Sequence, residues 1–161
     1  MKKPLTPDEA LYRAAALCST AERCANEIEE KLAGWGIPPT AASNIIEHLK
    51  REGYIDEARY CRSYVHDKIR FDRWGRLKIA AALRQKKISG EAIADALSHI
   101  DEEAYRTGLH ELLDRKRQQL GNTGNPSERA KLVRFALSRG FEPGIVFPIC
   151  GENDHETSYD D

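Results

Sequence analysis

The stretch Leu83-Arg84-Gln85-Lys86-Lys87-Ile88 matches two other segments of this 161-residue chain in its apolar register. Aligned on Ile88, the equivalent positions are Ile37 and Phe141, which lie 51 residues before it and 53 residues after it. Five further registers are apolar in all three copies: Ile28, Ile79 and Leu132; Leu32, Leu83 and Ala136; Ala42, Ile93 and Val146; Ile45, Ala96 and Ile149; Ile46, Leu97 and Cys150. Such self-similarity marks tandem copies of one supersecondary unit. Stacked copies form extended surfaces for large partners, not deep pockets for small substrates.

Within each copy the apolar residues recur at helical spacing, and the strand signal is weak. Proline and glycine stand at the expected starts and ends of helices, as in Gly34-Trp35-Gly36 followed by Pro38-Pro39. The predicted helices span about 8–22, 24–34 and 40–52, then 56–70, 73–87 and 90–99, then 101–120, 126–139 and 142–150. The sequence therefore predicts an all-α fold, an elongated, curved array of three tandem three-helix repeats. The predicted domains are the modules 1–55, 56–100 and 101–150, followed by an acidic disordered tail, 151–161.

The composition argues against several classes of protein. Charged residues make up 32% of the chain and no apolar run reaches about 18 residues, so we expect a soluble protein without a membrane span. The first residues lack the apolar stretch of a secretory signal, so the four cysteines are predicted to be reduced and buried. Their spacing does not predict a zinc site, and no cofactor is expected. The sequence contains no catalytic nucleophile with its partner residues, no phosphate-binding loop and no metal-binding motif, so an enzyme is not predicted.

The distribution of charge is more informative than the net charge of −1. Residues 56–100 carry 10 basic and 6 acidic side chains, whereas the tail carries 5 acids and no lysine or arginine. A basic middle module indicates a polyanionic partner, although ordinary solvated surface would look similar.

The most distinctive segment is the stretch 68–79, in which basic residues surround two aromatic residues. On a predicted helix 73–87, the side chains of Arg73, Arg76, Arg84 and Lys87 fall within about 80° of arc. This basic stripe suits phosphates or an acidic protein surface, and a solvated helix face is the alternative. Trp74 is predicted to be a core or helix-start residue, not a platform for base stacking.

Several segments, in their order and spacing, resemble the RecX family of regulatory proteins over about residues 8–150. The matching segments are Glu22-Arg23-Cys24, Glu30-Lys31-Leu32, Glu52-Gly53-Tyr54-Ile55-Asp56-Glu57-Ala58-Arg59-Tyr60, Leu83-Arg84-Gln85-Lys86-Lys87-Ile88 and Phe135-Ala136-Leu137-Ser138-Arg139-Gly140-Phe141. The resemblance implies a cytoplasmic bacterial regulator that binds RecA, chiefly its filament on single-stranded DNA. It implies restraint of strand exchange, ATP hydrolysis and repressor cleavage, and direct contact with DNA is also known in the family. The near-neutral charge and acidic tail of this chain depart from the more basic family pattern.

The favoured hypothesis is therefore a monomeric binding regulator of the RecA filament in DNA repair and the SOS response. Its predicted partner contacts in the middle module are Arg70, Arg73, Arg76, Lys78, Arg84 and Lys87. Those in the third module are Arg115, Lys116, Arg117, Lys131, Arg134 and Arg139. The alternative hypothesis is a helical protein that binds single- or double-stranded DNA without RecA. No helix shows the mixture of Asn, Gln and Arg expected at base-reading positions.

Overall fold

The computed structural model describes residues 3–151, which form α-helices joined by short loops and one π-helical turn. The nine α-helices of this range are α1 (Pro7–Thr20), α2 (Ala25–Gly34), α3 (Pro39–Arg51), α4 (Glu57–Asp67), α5 (Arg76–Gln85), α6 (Gly90–Ser98), α7 (Glu102–Gln119), α8 (Pro126–Ser138) and α9 (Pro143–Cys150). The π-helical turn, Lys68–Asp72, follows α4 directly. No strand occurs between residues 3 and 151, and the helices follow one another in three sets of three. The predicted all-α fold of three-helix repeats is confirmed.

The described chain divides into two compact units. Unit 1 takes residues 3–64 and 83–96, and unit 2 takes residues 65–82 and 97–151. Helices α4, α5 and α6 each contribute residues to both units.

Unit 1 is built around an apolar cluster from the first helices of the chain. Its buried members are Ala10, Ala14, Ile28, Leu32, Ile37, Ile45, Ile46, Leu49 and Ile55. Helix α1 begins with a capping box, in which the Thr6 Oγ1 accepts the Glu9 N–H at 3.2 Å and the Glu9 carboxylate accepts the Thr6 N–H at 3.0 Å. This pair satisfies two N–H groups that the start of a helix would otherwise leave without partners.

Unit 2 has its own apolar cluster, drawn largely from α7, α8 and α9. Its buried members are Tyr105, Leu109, Leu112, Leu113, Leu132, Ala136, Phe141, Ile145, Val146 and Cys150. Asp101 and Asn125 cap α7 and α8, and the Asn125 Oδ1 accepts the Glu128 N–H at 2.8 Å. The polar residues that interrupt the repeats in sequence therefore start the helices that close this core.

The repeated stretch has the same structural role in all three copies, where it ends the second helix. The closing backbone hydrogen bonds run from the Ile37 N–H to the Leu32 carbonyl (3.0 Å), from Ile88 to Leu83 (3.2 Å) and from Phe141 to Ala136 (3.2 Å). A second bond starts one residue earlier in each copy: Gly36 to Ala33 (3.1 Å), Lys87 to Arg84 (2.9 Å) and Gly140 to Leu137 (3.0 Å). This paired pattern is the Schellman motif, in which the following apolar residue packs back against the helix.

The motif requires one left-handed residue, and the three copies supply it differently. Gly36 and Gly140 have φ of 81° and 94°, whereas Lys87 adopts 62° with a side chain. Gly140 could not carry one, because a Cβ there would lie 2.3 Å from the Cβ of Lys78. The three copies therefore share one backbone geometry, although the residue type at this position differs between them.

Helix α5 is shorter than predicted at both ends. The π-helical turn ends at Arg73, which is left-handed with φ of 55°, and α5 begins only at Arg76. The intervening Gly75 donates its N–H to the Arg139 carbonyl at 2.8 Å. The predicted stripe on one helix 73–87 is thus wrong in this respect, because Arg73 and Lys87 lie outside α5 and are held by left-handed turns.

Other local predictions are closer to the structure. The remaining helices begin and end within about three residues of the predicted bounds, and helix ends are the least certain part of a prediction from sequence. Cys24, Cys61 and Cys150 are buried as predicted, and Cys18 is half-buried; all four are free thiols. Except for Gly151, the predicted acidic tail lies outside the described residues.

Candidate partner-binding surface

Two lysine ammonium groups pack on the ring of Trp74 in unit 2. The Nζ atoms of Lys68 and Lys78 lie 4.6 and 4.5 Å from the ring centroid. Lys68 also pairs with Asp72 at 3.1 Å. Trp74 itself is half-buried just before α5, so it is neither a fully buried core residue nor an isolated exposed ring. Two cations on one ring create a locally positive site that favours an anion.

Phe135 on α8 carries a second pair of cations. The Lys116 Nζ lies 4.9 Å from the ring centroid, and the guanidinium carbon of Arg139 lies 5.3 Å from it. The Arg139 guanidinium also donates to the Asp72 carbonyl at 3.1 Å, which fixes it beside the π-helical turn.

The backbone around Gly140 joins these two clusters. The Leu77 N–H donates to the Gly140 carbonyl at 3.0 Å, and Gly140 packs against Lys78. Together the two clusters form what we call the cation–ring surface: Lys68, Trp74, Lys78, Lys116, Phe135 and Arg139. Positive charge combined with aromatic rings suits nucleic-acid backbones and bases, or acidic protein segments.

Exposed apolar side chains occur close to this surface in the chain. Phe71, in the π-helical turn, is 71% exposed, and Leu77 on α5 is 53% exposed. The Arg70 guanidinium lies 5.6 Å from the Phe71 ring centroid. Sequence reasoning missed both apolar residues as candidates, although Phe71 stands outside the registers shared by the three repeats. Exposed aromatic residues beside arginine are typical of the energetic centres of interfaces.

Arg76, one of the predicted contacts, is engaged inside unit 2. Its guanidinium donates to Glu142 at 2.7 Å and to Glu102, and lies 4.1 Å from the Tyr105 ring centroid. The Tyr105 hydroxyl accepts the Arg76 backbone N–H at 2.9 Å and donates to the other Glu142 oxygen at 2.5 Å. The hydrogen bond from Arg76 lowers the pKa of Glu102, whereas burial and the bond to Glu142 raise the pKa of Tyr105. This junction joins α5, α7 and α9, so Arg76 has a structural role.

Of the other predicted contacts, two form ion pairs and six are exposed. Arg73 pairs with Glu111 at 3.2 Å, and Arg117 pairs with Asp114 at 2.7 Å. The exposed predicted contacts are Arg70, Arg84, Lys87, Arg115, Lys131 and Arg134. All twelve predicted residues except Arg84 and Lys87 lie in unit 2, and Lys78, Lys116 and Arg139 belong to the cation–ring surface.

Unit 1 contains a charged junction of its own around Glu27. The Glu27 carboxylate accepts the Cys24 N–H at 3.0 Å and lies 3.7 Å from the Lys86 ammonium. Burial alone would raise the pKa of Glu27, but the hydrogen bonds with Cys24 and the charge of Lys86 outweigh it, so the pKa is lowered. Burial, reinforced by the negative charge of Glu27, raises the pKa of Tyr60.

No group of three His, Cys, Asp or Glu side chains among residues 3–151 could hold a metal ion. None of the helices described is long and apolar enough to cross a membrane.

Comparisons with known proteins agree with this architecture. Residues 56–97 match the family model described as RecX, second three-helix domain. A regulatory protein RecX from Leptothrix cholodnii is 29% identical over 149 residues, covering 92% of this chain and 91% of that protein. One from Lactobacillus johnsonii is 25% identical over 161 residues, and this chain spans 59% of its length.

Solved structures give the same picture at the level of the fold. A crystal structure of regulatory protein RecX superposes with a TM-score of 0.80 at 25% identity, covering 91% of this chain and 71% of that one. The crystal structure of RecX from Lactobacillus salivarius has a TM-score of 0.79 at 23% identity, covering 92% and 96% of the two chains.

The fold defines a helical protein built from three-helix repeats. More particularly, residues 56–97 match the second three-helix domain of RecX, and the chain is similar over most of its length to regulatory proteins RecX.

Proposed function

We propose that this chain binds the RecA filament on single-stranded DNA and modulates its activities, mainly by inhibition. The activities concerned are strand exchange, ATP hydrolysis and repressor cleavage, in DNA repair and the SOS response. Similarity to regulatory proteins RecX supports the general role, and the observation that carries the finer one is the cation–ring surface of unit 2. A filament of protein and single-stranded DNA offers such a surface both carboxylates and phosphates.

In this proposal the exposed cations and the cations that pack on aromatic rings contact the filament. The arginines that are already paired with carboxylates support the structure around them. Lys78, Lys116 and Arg139 would act with the exposed Lys131 and Arg134. The predicted modules 1–55, 56–100 and 101–150 would contact the filament as successive segments of a cytoplasmic, monomeric protein. Arg76 would hold unit 2 in shape, because its guanidinium already has two carboxylate partners.

A binding measurement on three ligands tests this proposal. The ligands are RecA-coated single-stranded DNA, bare single-stranded DNA and bare duplex, compared by fluorescence anisotropy at several salt concentrations. We expect the coated strand to bind most tightly. Preferential binding to either bare DNA would favour the alternative, a DNA-binding protein that acts without RecA, since ring and cation sites also suit single strands.

A matched pair of triple variants locates the site. Neutralising Lys68, Lys78 and Lys116 to Gln should weaken filament binding about tenfold or more and reduce its salt dependence. The control neutralises the exposed unit 1 cations Lys31, Lys50 and Arg51 to Gln, with the same change in net charge and less than about a twofold effect.

RecA ATP hydrolysis on single-stranded DNA supplies the functional readout. Titrated protein should inhibit hydrolysis below one copy per RecA protomer, and the unit 2 triple variant should need more protein for the same inhibition. Unchanged hydrolysis at equimolar protein, with RecA from the same organism, would overturn the proposed function.

A further inference from the structure

A groove on unit 2 lies between α8 and α9, with a volume of about 320 Å³. Its lining residues are Pro126, Arg129, Ala130, Val133, Arg134, Phe147 and Cys150. The groove therefore combines an apolar floor with two arginines. Arg129 is held by its own hydrogen bond to the Gly124 carbonyl at 2.9 Å, and Arg134 is exposed.

The chain leaves the described region beside this groove. Gly151 ends α9 in a left-handed conformation, with φ of 89°, and its N–H donates to the Phe147 carbonyl. A Cβ on Gly151 would lie 3.5 Å from the Cδ of Arg129. The end of the described chain therefore lies next to one of the two arginines.

The segment that follows has the opposite charge. Residues 152–161 contain five acidic side chains, one tyrosine and no lysine or arginine: Glu152, Asp154, Glu156, Asp160 and Asp161, with Tyr159. Ten residues can reach roughly 33 Å when extended, whereas Arg129 and Arg134 are separated by only about 7.5 Å along α8. The segment is thus long enough to pass both arginines.

We propose that residues 152–161 bind intramolecularly in the α8–α9 groove of unit 2, with carboxylates on Arg129 and Arg134 and Tyr159 against Val133 and Phe147. Tethering at Gly151 keeps the effective concentration of this segment near the millimolar range, so individually weak ion pairs suffice. Because these pairs are solvent-accessible, the docking weakens with salt.

This docking gives the bound segment a regulatory role, a step that rests on the proposed function. Arg134 and its neighbour Lys131 are among the proposed filament contacts, and an acidic segment on α8 occupies or neutralises them. The acidic segment and the filament then compete for the same arginine. Salt weakens both interactions, but only the filament contact depends on RecA.

The docking is tested without RecA or DNA, by comparing amide NMR spectra of two full-length chains. One is the natural chain, and the other carries Glu152→Gln, Asp154→Asn, Glu156→Gln, Asp160→Asn and Asp161→Asn. At low salt we expect shift differences at Ala130, Val133, Arg134 and Phe147 that disappear at about 0.5 M salt. Differences confined to the substituted residues and Gly151 would overturn the docking.

Two further measurements separate this interpretation from others. Arg134→Gln in the natural chain should move Ala130 and Val133 toward the spectrum of the neutralised chain. Shifts that decline on tenfold dilution would show that the acidic segment of a second copy fills the groove, which also overturns the intramolecular proposal.

Filament binding is measured separately on the same two chains. The neutralised chain should bind the RecA filament about threefold or more tightly at low salt, since it no longer competes for Arg134. If NMR shows docking and neither chain binds the filament, the proposed function fails and the docking stands. If both chains bind equally and no groove shifts occur, the docking fails and the proposed function stands.

Discussion

The hydroxyl of Tyr105 connects two distant parts of unit 2, donating to Glu142 at 2.5 Å while accepting the backbone N–H of Arg76 at 2.9 Å. That N–H belongs to the first residue of α5, where no helical carbonyl is available to accept it. Tyr105 therefore caps α5 from α7, and Glu142 completes the arrangement from the start of α9. The Arg76 guanidinium, also bound to Glu142, closes the same junction from its side-chain end.

Tyr105→Phe should lower the free energy of unfolding by about 1–3 kcal/mol, because it leaves a partly buried N–H and a carboxylate oxygen without their partner. The ring itself, 1% exposed, keeps its packing in this variant. Urea unfolding followed by circular dichroism measures the change. Tyr12→Phe is the matched control, since Tyr12 is 81% exposed and should change stability by less than about 0.5 kcal/mol. Equal stability of the two variants would contradict a role for the hydroxyl.

The apolar registers of the repeat were readable from sequence because they depend only on local periodicity and packing. Ile28, Ile79 and Leu132, which share one register, are all at most 1% exposed. The Arg76 junction was not readable, because its hydrogen bonds join residues 29 and 66 positions apart. Arginine and glutamate are common on solvated helices, so neither residue type indicated that Arg76 pairs with Glu142.

The start of α5 shows a second limit of sequence reasoning. Arg73 adopts a left-handed φ of 55° after a π-helical turn, and nothing in its residue type favours that conformation. It is accommodated by the pairing of Arg73 with Glu111 on α7 and by the backbone bond of Gly75 to Arg139. These tertiary contacts override the helical propensity of the segment, so a continuous helix from residue 73 was the natural but wrong prediction.

Lys87→Gly should stabilise unit 1. Lys87 occupies the left-handed position that Gly36 and Gly140 fill in the other repeats, with φ of 62°. Relief of that conformation, less the extra entropy of glycine in the unfolded chain, should add about 0.5–1 kcal/mol to the free energy of unfolding. Gln85→Gly, at the end of α5, is the control and should lower stability by about 0.5–1 kcal/mol. A loss of stability in Lys87→Gly would contradict this account of the repeat.

Glu27 should make the stability of unit 1 depend on acid pH. Its pKa in the folded chain lies below the ordinary value of 4.5, so the unfolded chain binds its proton at a higher pH than the folded chain does. The carboxylate thus stabilises the fold above its unfolded pKa, and this contribution is lost as pH falls through the folded pKa. Glu27→Gln should be less stable than the natural chain above about pH 5, and the difference should shrink below about pH 4. Urea titrations from pH 3 to 7 measure it, with exposed Glu30→Gln as control; a difference independent of pH would refute the assignment.

Phe71→Ala should weaken filament binding without affecting the fold. The side chain is 71% exposed beside Arg70, so its removal should change the free energy of unfolding by less than about 0.5 kcal/mol. If the ring is buried by the partner, the dissociation constant for RecA-coated single-stranded DNA should rise about fivefold or more, as expected for an aromatic residue at an interface centre. Tyr12→Ala removes an even more exposed ring from unit 1 and should leave binding unchanged. Anisotropy measures both variants, and equal affinities for the two would place Phe71 outside the interface.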